Sequence, residues 1–184
     1  MPLFKAVCKD EISNISQVKA SVGRGIRSAI LVEYPWLEES GAIEALIPKK
    51  EPLLVGKMGS HVQVVILNNS PVFFQERDGP WFPTLRVLHQ YPDMMKRLRT
   101  DPGAIKFVMS GANIMCPGLT HTNATIHDEV GSGAAVAIYA AGKEHAMAVG
   151  VTKMSTADMR LLNKGIGVDN LHHLNDGMWK TPTL

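Results

Sequence analysis

The sequence predicts an α+β chain built from an N-terminal α/β unit and a smaller β-rich unit decorated by two short helices. Three observations carry that prediction. Apolar residues recur at helical spacing near the start; short β-branched and aromatic runs follow; then a basic, proline-fenced stretch precedes a second series of strands.

Val18, Val22, Ile26 and Ile30 recur every fourth residue, with Ile15 and Leu31 extending the line, so the spacing predicts a helix over 15–31. Gly23 and Gly25 weaken it by about 1 kcal/mol each relative to alanine. A second helix is expected over 36–46, opened by Pro35 and closed before Pro48. Residues 53–58, 61–67 and 72–75 read as a meander of strands split by Gly59-Ser60 and Asn68-Asn69. Helical spacing returns over 84–90.

Residues 93–100 read as an exposed connection, because Lys96, Arg97 and Arg99 crowd between two proline-containing turns. Beyond it Asp101 can cap a helix with Pro102 at its first position, Ile105, Val108 and Met109 facing inward and Gly111 as its stop. Strands are expected over 113–115, 134–139, 146–151 and 166–174, with a helix after the capping box Ser155-Thr156-Ala157-Asp158. The domain reading is residues 1–95 followed by residues 96–184.

Composition narrows the function. The chain has 184 residues, 45% hydrophobic and 20% charged, which suits a globular protein. Lys and Arg number 19 against 17 Asp and Glu, a net charge of +2, so a nucleic-acid surface has to come from clustering. Two isolated cysteines, Cys8 and Cys116, make neither a disulfide framework nor a zinc site, and fit a reducing compartment. No signal or membrane-spanning segment is read, so a cytoplasmic protein is expected.

Few motifs carry chemistry. Gly23-Arg24-Gly25 sits inside a helical pattern with no strand before it and lacks a third glycine, so it reads as tolerated helix glycines. Adjacent His172 and His173 on a strand point to opposite faces and cannot grip one ion together. His121 and His127 have no partner at ligand spacing. No metal, cofactor or catalytic residue is assigned. Cys116 reads as a small buried hydrophobe. Lys96, Arg97, Arg99 and Lys106 form a basic set leading into a helix and a glycine-rich strand edge, where backbone can approach phosphate. Phe73, Phe74, Trp81 and Phe82 put four of eleven aromatics into one short stretch. A strand cannot bury both Phe73 and Phe74 on one side, so one of them is expected near the surface unless a neighbouring helix covers that face.

Asp101-Pro102-Gly103-Ala104-Ile105-Lys106-Phe107-Val108-Met109-Ser110-Gly111-Ala112-Asn113-Ile114-Met115-Cys116-Pro117-Gly118-Leu119 resembles the opening of a PUA domain. Ala148-Val149-Gly150-Val151, Asn163-Lys164-Gly165-Ile166-Gly167-Val168 and His172-His173-Leu174-Asn175-Asp176 resemble its second half. Together with Leu46-Ile47-Pro48-Lys49-Lys50, Phe73-Phe74-Gln75 and Gly79-Pro80-Trp81-Phe82-Pro83-Thr84-Leu85-Arg86, nearly the whole chain resembles the malignant T-cell-amplified sequence family. The chain differs from the family pattern at Pro102 and in a polar, insertion-like loop over 120–133.

The resemblance implies an N-terminal α/β domain and a C-terminal PUA pseudo-β-barrel. It implies a non-enzymatic translation factor that binds the small (40S) ribosomal subunit and RNA (rRNA or tRNA). With density-regulated protein, such a factor promotes post-termination recycling and tRNA release, reinitiation, and initiation on certain messages. The expected RNA-binding set is Lys96, Arg97, Arg99, Lys106, Ser110, Gly111, Ala112, Asn113, Pro117, Gly118 and His172. Phe73, Phe74, Trp81 and Phe82 are the expected anchors for the protein partner, on the N-terminal unit. The alternative is an RNA-modifying enzyme whose PUA half holds substrate; no synthase-type aspartate motif or cofactor loop supports it.

Overall fold

The computed structural model describes residues 2–184. In the first half, β1 (Ser13–Gln17), β2 (Leu54–Met58), β3 (Val62–Leu67), β4 (Ser70–Glu76) and β5 (Trp81–Pro83) pair antiparallel in sequential order. Three helices, α1 (Ala20–Glu33), α2 (Trp36–Glu39) and α3 (Ile43–Leu46), connect the first two strands, and α4 (Leu85–Gln90) follows the last. Two expectations change. Ile15 belongs to β1 and not to the helix, because Ser16 and Gln17 pair with Val55 and Leu54. The helix expected over 36–46 breaks into two single turns at Gly41, whose φ of +76° no continuous right-handed helix accepts.

The second half holds β6 (Lys96–Thr100), α5 (Ile105–Met109), β7 (Ile114–Met115), α6 (Cys116–Thr120), β8 (Thr125–Ile126), β9 (Ala135–Ala140), β10 (Ala146–Thr152), α7 (Thr156–Leu162) and β11 (Ile166–His173). Their sheet runs β7-β11-β10-β9-β6-β8, with β6 and β9 parallel. Residues 96–100 are thus a strand inside the sheet, not an exposed connection. Leu98 and Thr100 are fully buried while Arg97 and Arg99 point the other way, a period-two pattern that the basic residues disguise. The expected caps are present: Asp101 accepts from the Gly103 amide, Ser155 accepts from the Asp158 amide, and Gly111 turns the chain at φ +89°.

Strand β9 joins the halves. Val136, Ile138 and Ala140 enter a cluster with Leu98, Val108, Ile114, Leu119 and Val168, the core of the second half. Ala135, Ala137 and Tyr139 join the cluster that contains Ile26, Ile30, Val64, Phe73 and Leu88 of the first. All six β9 residues are buried, which explains why the strand reads as an unbroken apolar run.

A polar lock completes the junction. The Leu85 amide, at the start of α4, donates to Nε2 of His172 on β11 (3.1 Å), so that nitrogen keeps its lone pair. The proton sits on Nδ1, which donates to Asp176 Oδ2 (2.7 Å). Asp176 also accepts from the amides of His173 and Trp179, so the buried carboxylate is well satisfied. Phe4 packs edge-on against both Phe74 (5.0 Å between centroids) and His172 (5.8 Å). Replacing His172 by alanine leaves the buried Leu85 amide without its acceptor and removes one of the donors to buried Asp176. Denaturant titration of His172→Ala is expected to show a stability decrease of about 3 kcal/mol, with both halves unfolding in one transition.

Candidate nucleic-acid interface

The face of the second half built by α5 and the loop after it is the best organised polar surface among the predicted residues. Asp101 is fixed by its amide donating to the Gly118 carbonyl (3.0 Å), which also ties α6 to the start of α5. Gly118 permits that approach, since a Cβ there would lie 3.3 Å from the Ala104 Cβ. At the other end, Asn170 on β11 bolts the loop down: its Nδ2 donates to the carbonyls of Val108 and Ala112 (both 3.0 Å), and its amide donates to Asn113 Oδ1 (3.0 Å). Lys106, Phe107, Ser110, Ala112 and Pro117 face solvent from this frame.

Phe107 is an addition to the expected set. Its side chain is 54% exposed, and the Lys106 ammonium lies 4.9 Å from the ring centroid. A ring held on a fixed helix offers a stacking surface, and the adjacent cation can meet a phosphate. The signal is present in the spacing, because turning Ile105 and Val108 inward leaves Phe107 off the apolar face.

The remaining predicted residues lie elsewhere or are sealed. Gly111 is buried beneath Pro2, with an added Cβ 2.9 Å from Pro2 Cγ and 3.1 Å from His173 Nε2, so its backbone is not open to a ligand. His172 is 1% exposed and committed to the lock described above, which corrects its expected RNA-binding role. Asn113 commits its side-chain oxygen to Asn170.

Lys96, Arg97 and Arg99 line a groove between the halves of about 750 Å³, and Lys106 lies outside it. The same groove carries Glu33, Glu39, Asp93 and Asp128, so it is not an electropositive track. Arg97 is paired with Asp93, and its amide donates to Asp128 Oδ2 (2.7 Å). The Arg99 guanidinium donates to the carbonyls of Ala140 and Lys143 (both 2.9 Å). Lys96 alone of the three is exposed.

The four aromatic anchors are all interior. Phe73 and Phe74 have no exposed surface, Trp81 has 5% and Phe82 2%. The expectation that one phenylalanine reaches the surface is therefore corrected: Phe4 and His172 cover the side that Phe74 faces, and Phe82 stacks on it at 5.5 Å. The polar loop over 120–133 is also anchored. Its β8 pairs with β6, and Glu129 accepts from Thr156 Oγ1 (2.6 Å) and Arg160 (2.5 Å). Those two hydrogen bonds, Arg160 first, hold the Glu129 carboxyl down at about 2.

Among the described residues, no helix is long and apolar enough to cross a membrane, and no group of His, Cys, Asp and Glu could hold a metal ion.

Comparison with known proteins agrees with this architecture. Residues 8–92 match the family model described as "Pre-PUA-like domain", and residues 95–177 the one described as "elF2D, PUA domain". The "Malignant T-cell-amplified sequence 1 homolog" of Dictyostelium discoideum is 44% identical over 183 residues, covering 99% of this chain and 100% of that protein. The chain belongs to the malignant T-cell-amplified sequence family. The Drosophila melanogaster homolog is 47% identical, with 94% of each chain covered. A hypothetical protein from the archaeon Pyrococcus horikoshii shares the fold, with a TM-score of 0.72 at 21% identity over 91% of this chain and 99% of that one. The malignant T-cell-amplified sequence fold is thus a pre-PUA unit followed by a PUA domain, as the sequence resemblance implies.

Both thiols lie inside this family fold. Burial, reinforced by the negative charge of Asp176, pushes the Cys8 thiol up to about 12, and burial raises Cys116 as well. Each stays protonated near pH 8. Iodoacetamide at that pH is expected to leave both intact in the native protein and to alkylate both after unfolding, as read by intact mass.

Proposed function

We propose that the protein is a non-enzymatic translation factor whose PUA half holds RNA on the face formed by Lys106, Phe107, Ser110, Ala112 and Pro117. The observation that carries this reading is the exposed Phe107 ring with the Lys106 ammonium beside it, on a short helix whose end Asn170 holds through the Val108 and Ala112 carbonyls. An aromatic platform next to a cation recognises an unpaired base and its phosphate with little regard to sequence. Family membership supports the setting: the small ribosomal subunit, rRNA or tRNA, and a density-regulated protein homologue bound through the pre-PUA half. In that setting the chain acts by binding and positioning during post-termination recycling and tRNA release, reinitiation, and initiation on certain messages. Lys96 adds a peripheral cation for phosphate, while Arg97 is tied to Asp93 at the junction and Arg99 to the turn after β9.

Fluorescence anisotropy with labelled tRNA tests the face directly. Phe107→Ala is expected to weaken binding by about 1–3 kcal/mol. Lys106→Glu is expected to lower the slope of log affinity against log salt by about 0.7 to 0.9, because one phosphate is no longer neutralised and keeps its counterion. Unchanged affinity and slope in both variants would refute this face. Cosedimentation with small ribosomal subunits, with and without the density-regulated protein homologue, tests the setting.

A further inference from the structure

The aromatic cluster of the pre-PUA half is buried, yet that half carries a different opening. Between the first turns of α1 and the segment 47–53 lies a cleft of about 640 Å³. Its apolar lining comes from Val18, Leu31, Ile47, Pro48 and Leu53. Lys19, Arg24, Lys49 and Lys50 stand around it, all exposed, against one acid, Glu51. Arg27 fixes its shape from below: 10% exposed at the side chain, it donates to the Ile47 carbonyl and to Glu44 (2.6 Å), holding the segment over the helix. The first turn of α1 contains no acidic residue; the internal carboxylate that meets these cations is Glu44, 3.8 Å from the Lys49 ammonium.

Gly23 gains a reason here. A Cβ at this position would stand 3.6 Å from Leu53 Cβ and 3.7 Å from Val18 Cγ2, ordinary van der Waals distances. Nothing in the backbone demands glycine. What glycine does is leave the cleft open, with some weakening of helix propensity.

We propose that this cleft docks an acidic peptide segment of a partner protein, with one aliphatic or aromatic side chain in the apolar pocket and carboxylates on the surrounding Lys and Arg. The charge complementarity favours an acidic ligand: along the lining Lys19, Arg24, Lys49 and Lys50 stand against Glu51, and among the described residues Lys49 is the one of the four that shares an internal acid, Glu44. RNA would bring the same charge, but the cleft has no aromatic side chain on which a base could stack, and its floor is aliphatic. A peptide with an apolar anchor uses both the floor and the cations. The proposal goes beyond RNA binding by the PUA half and gives the pre-PUA half a surface of its own.

The test uses the full chain and fluorescent dodecapeptides carrying a central leucine or phenylalanine flanked by glutamates. Matched peptides flanked by lysines and a short oligouridylate serve as comparisons. Glutamate-flanked peptides are expected to bind at least about tenfold more tightly than lysine-flanked ones. Gly23→Leu, which fills the cleft with a good helix former, is expected to weaken that binding about tenfold or more while melting no lower than the wild type. The double variant Lys49→Glu/Lys50→Glu is expected to weaken it and flatten its salt dependence. Failure of every acidic peptide to bind, equal binding to Gly23→Leu, or displacement of the peptide by oligouridylate overturns the proposal. A tRNA titration of the same Gly23→Leu sample reads the PUA face separately, so the two readings fail independently.

Discussion

Strand β9 is the constraint on which the two halves depend. Its six residues are buried on both sides, alternate residues entering different hydrophobic clusters. A strand used in this way cannot be released from one cluster without exposing apolar surface that the other arrangement never exposes. The junction is therefore an extension of the cores rather than a meeting of finished surfaces, and the relative orientation of the halves is set by packing. For the positioning role proposed above, this matters directly. A group held on the Phe107 side of the PUA half and a peptide held beside α1, as proposed, would sit at a separation the fold defines.

Polar groups refine what packing establishes. His172 and Asp176 occupy the junction with their hydrogen bonds complete, and Asn170 does the equivalent work for the loop after α5. The His172–Asp176 pair and the Asn170 amide nitrogen bond in ways that only one arrangement of neighbours satisfies, which gives specificity as well as stability. The penalty attached to such groups falls on variants that remove one partner and leave the other buried.

Much of this is legible along the chain. The meander, the capped helices at Asp101 and Ser155, and the stop at Gly111 follow from local rules, and motifs in a fixed order point to the family. Three features are not legible, for one physical reason each. Strand β6 is hidden because its outward positions hold arginines, whose demands are met by carbonyls and carboxylates outside the strand itself. Helix α6 is hidden by Pro117 and Gly118, which read as a turn although proline suits a first helical turn. The interior position of Phe74 depends on Phe4 and His172, neither of which any local window contains. Of the candidate face, Lys106, Ser110, Ala112 and Pro117 follow from the motif, while Phe107 follows from helical spacing alone, which leaves it off the side that Ile105 and Val108 turn inward.

The stitching of the chain's two ends has a consequence for its biosynthesis. The Phe4 carbonyl accepts from the Gly177 amide, the Cys8 amide donates to Thr181, and the Leu184 amide donates to the Asn69 carbonyl. A nascent chain emerging from the ribosome reaches Phe4 and Phe74 long before His172, Gly177 and Thr181. Until those residues arrive, the side of the first sheet that Phe74 faces has Phe4 but lacks the cover that His172 supplies, and part of its aromatic surface waits bare in the company of other nascent chains. Completion of the first-made half is thus deferred to residues 172–184, so a chain that stopped short of them would leave Phe4 and Phe74 without their partners, and the cell's chaperones would meet it as a nearly finished sheet with an open side.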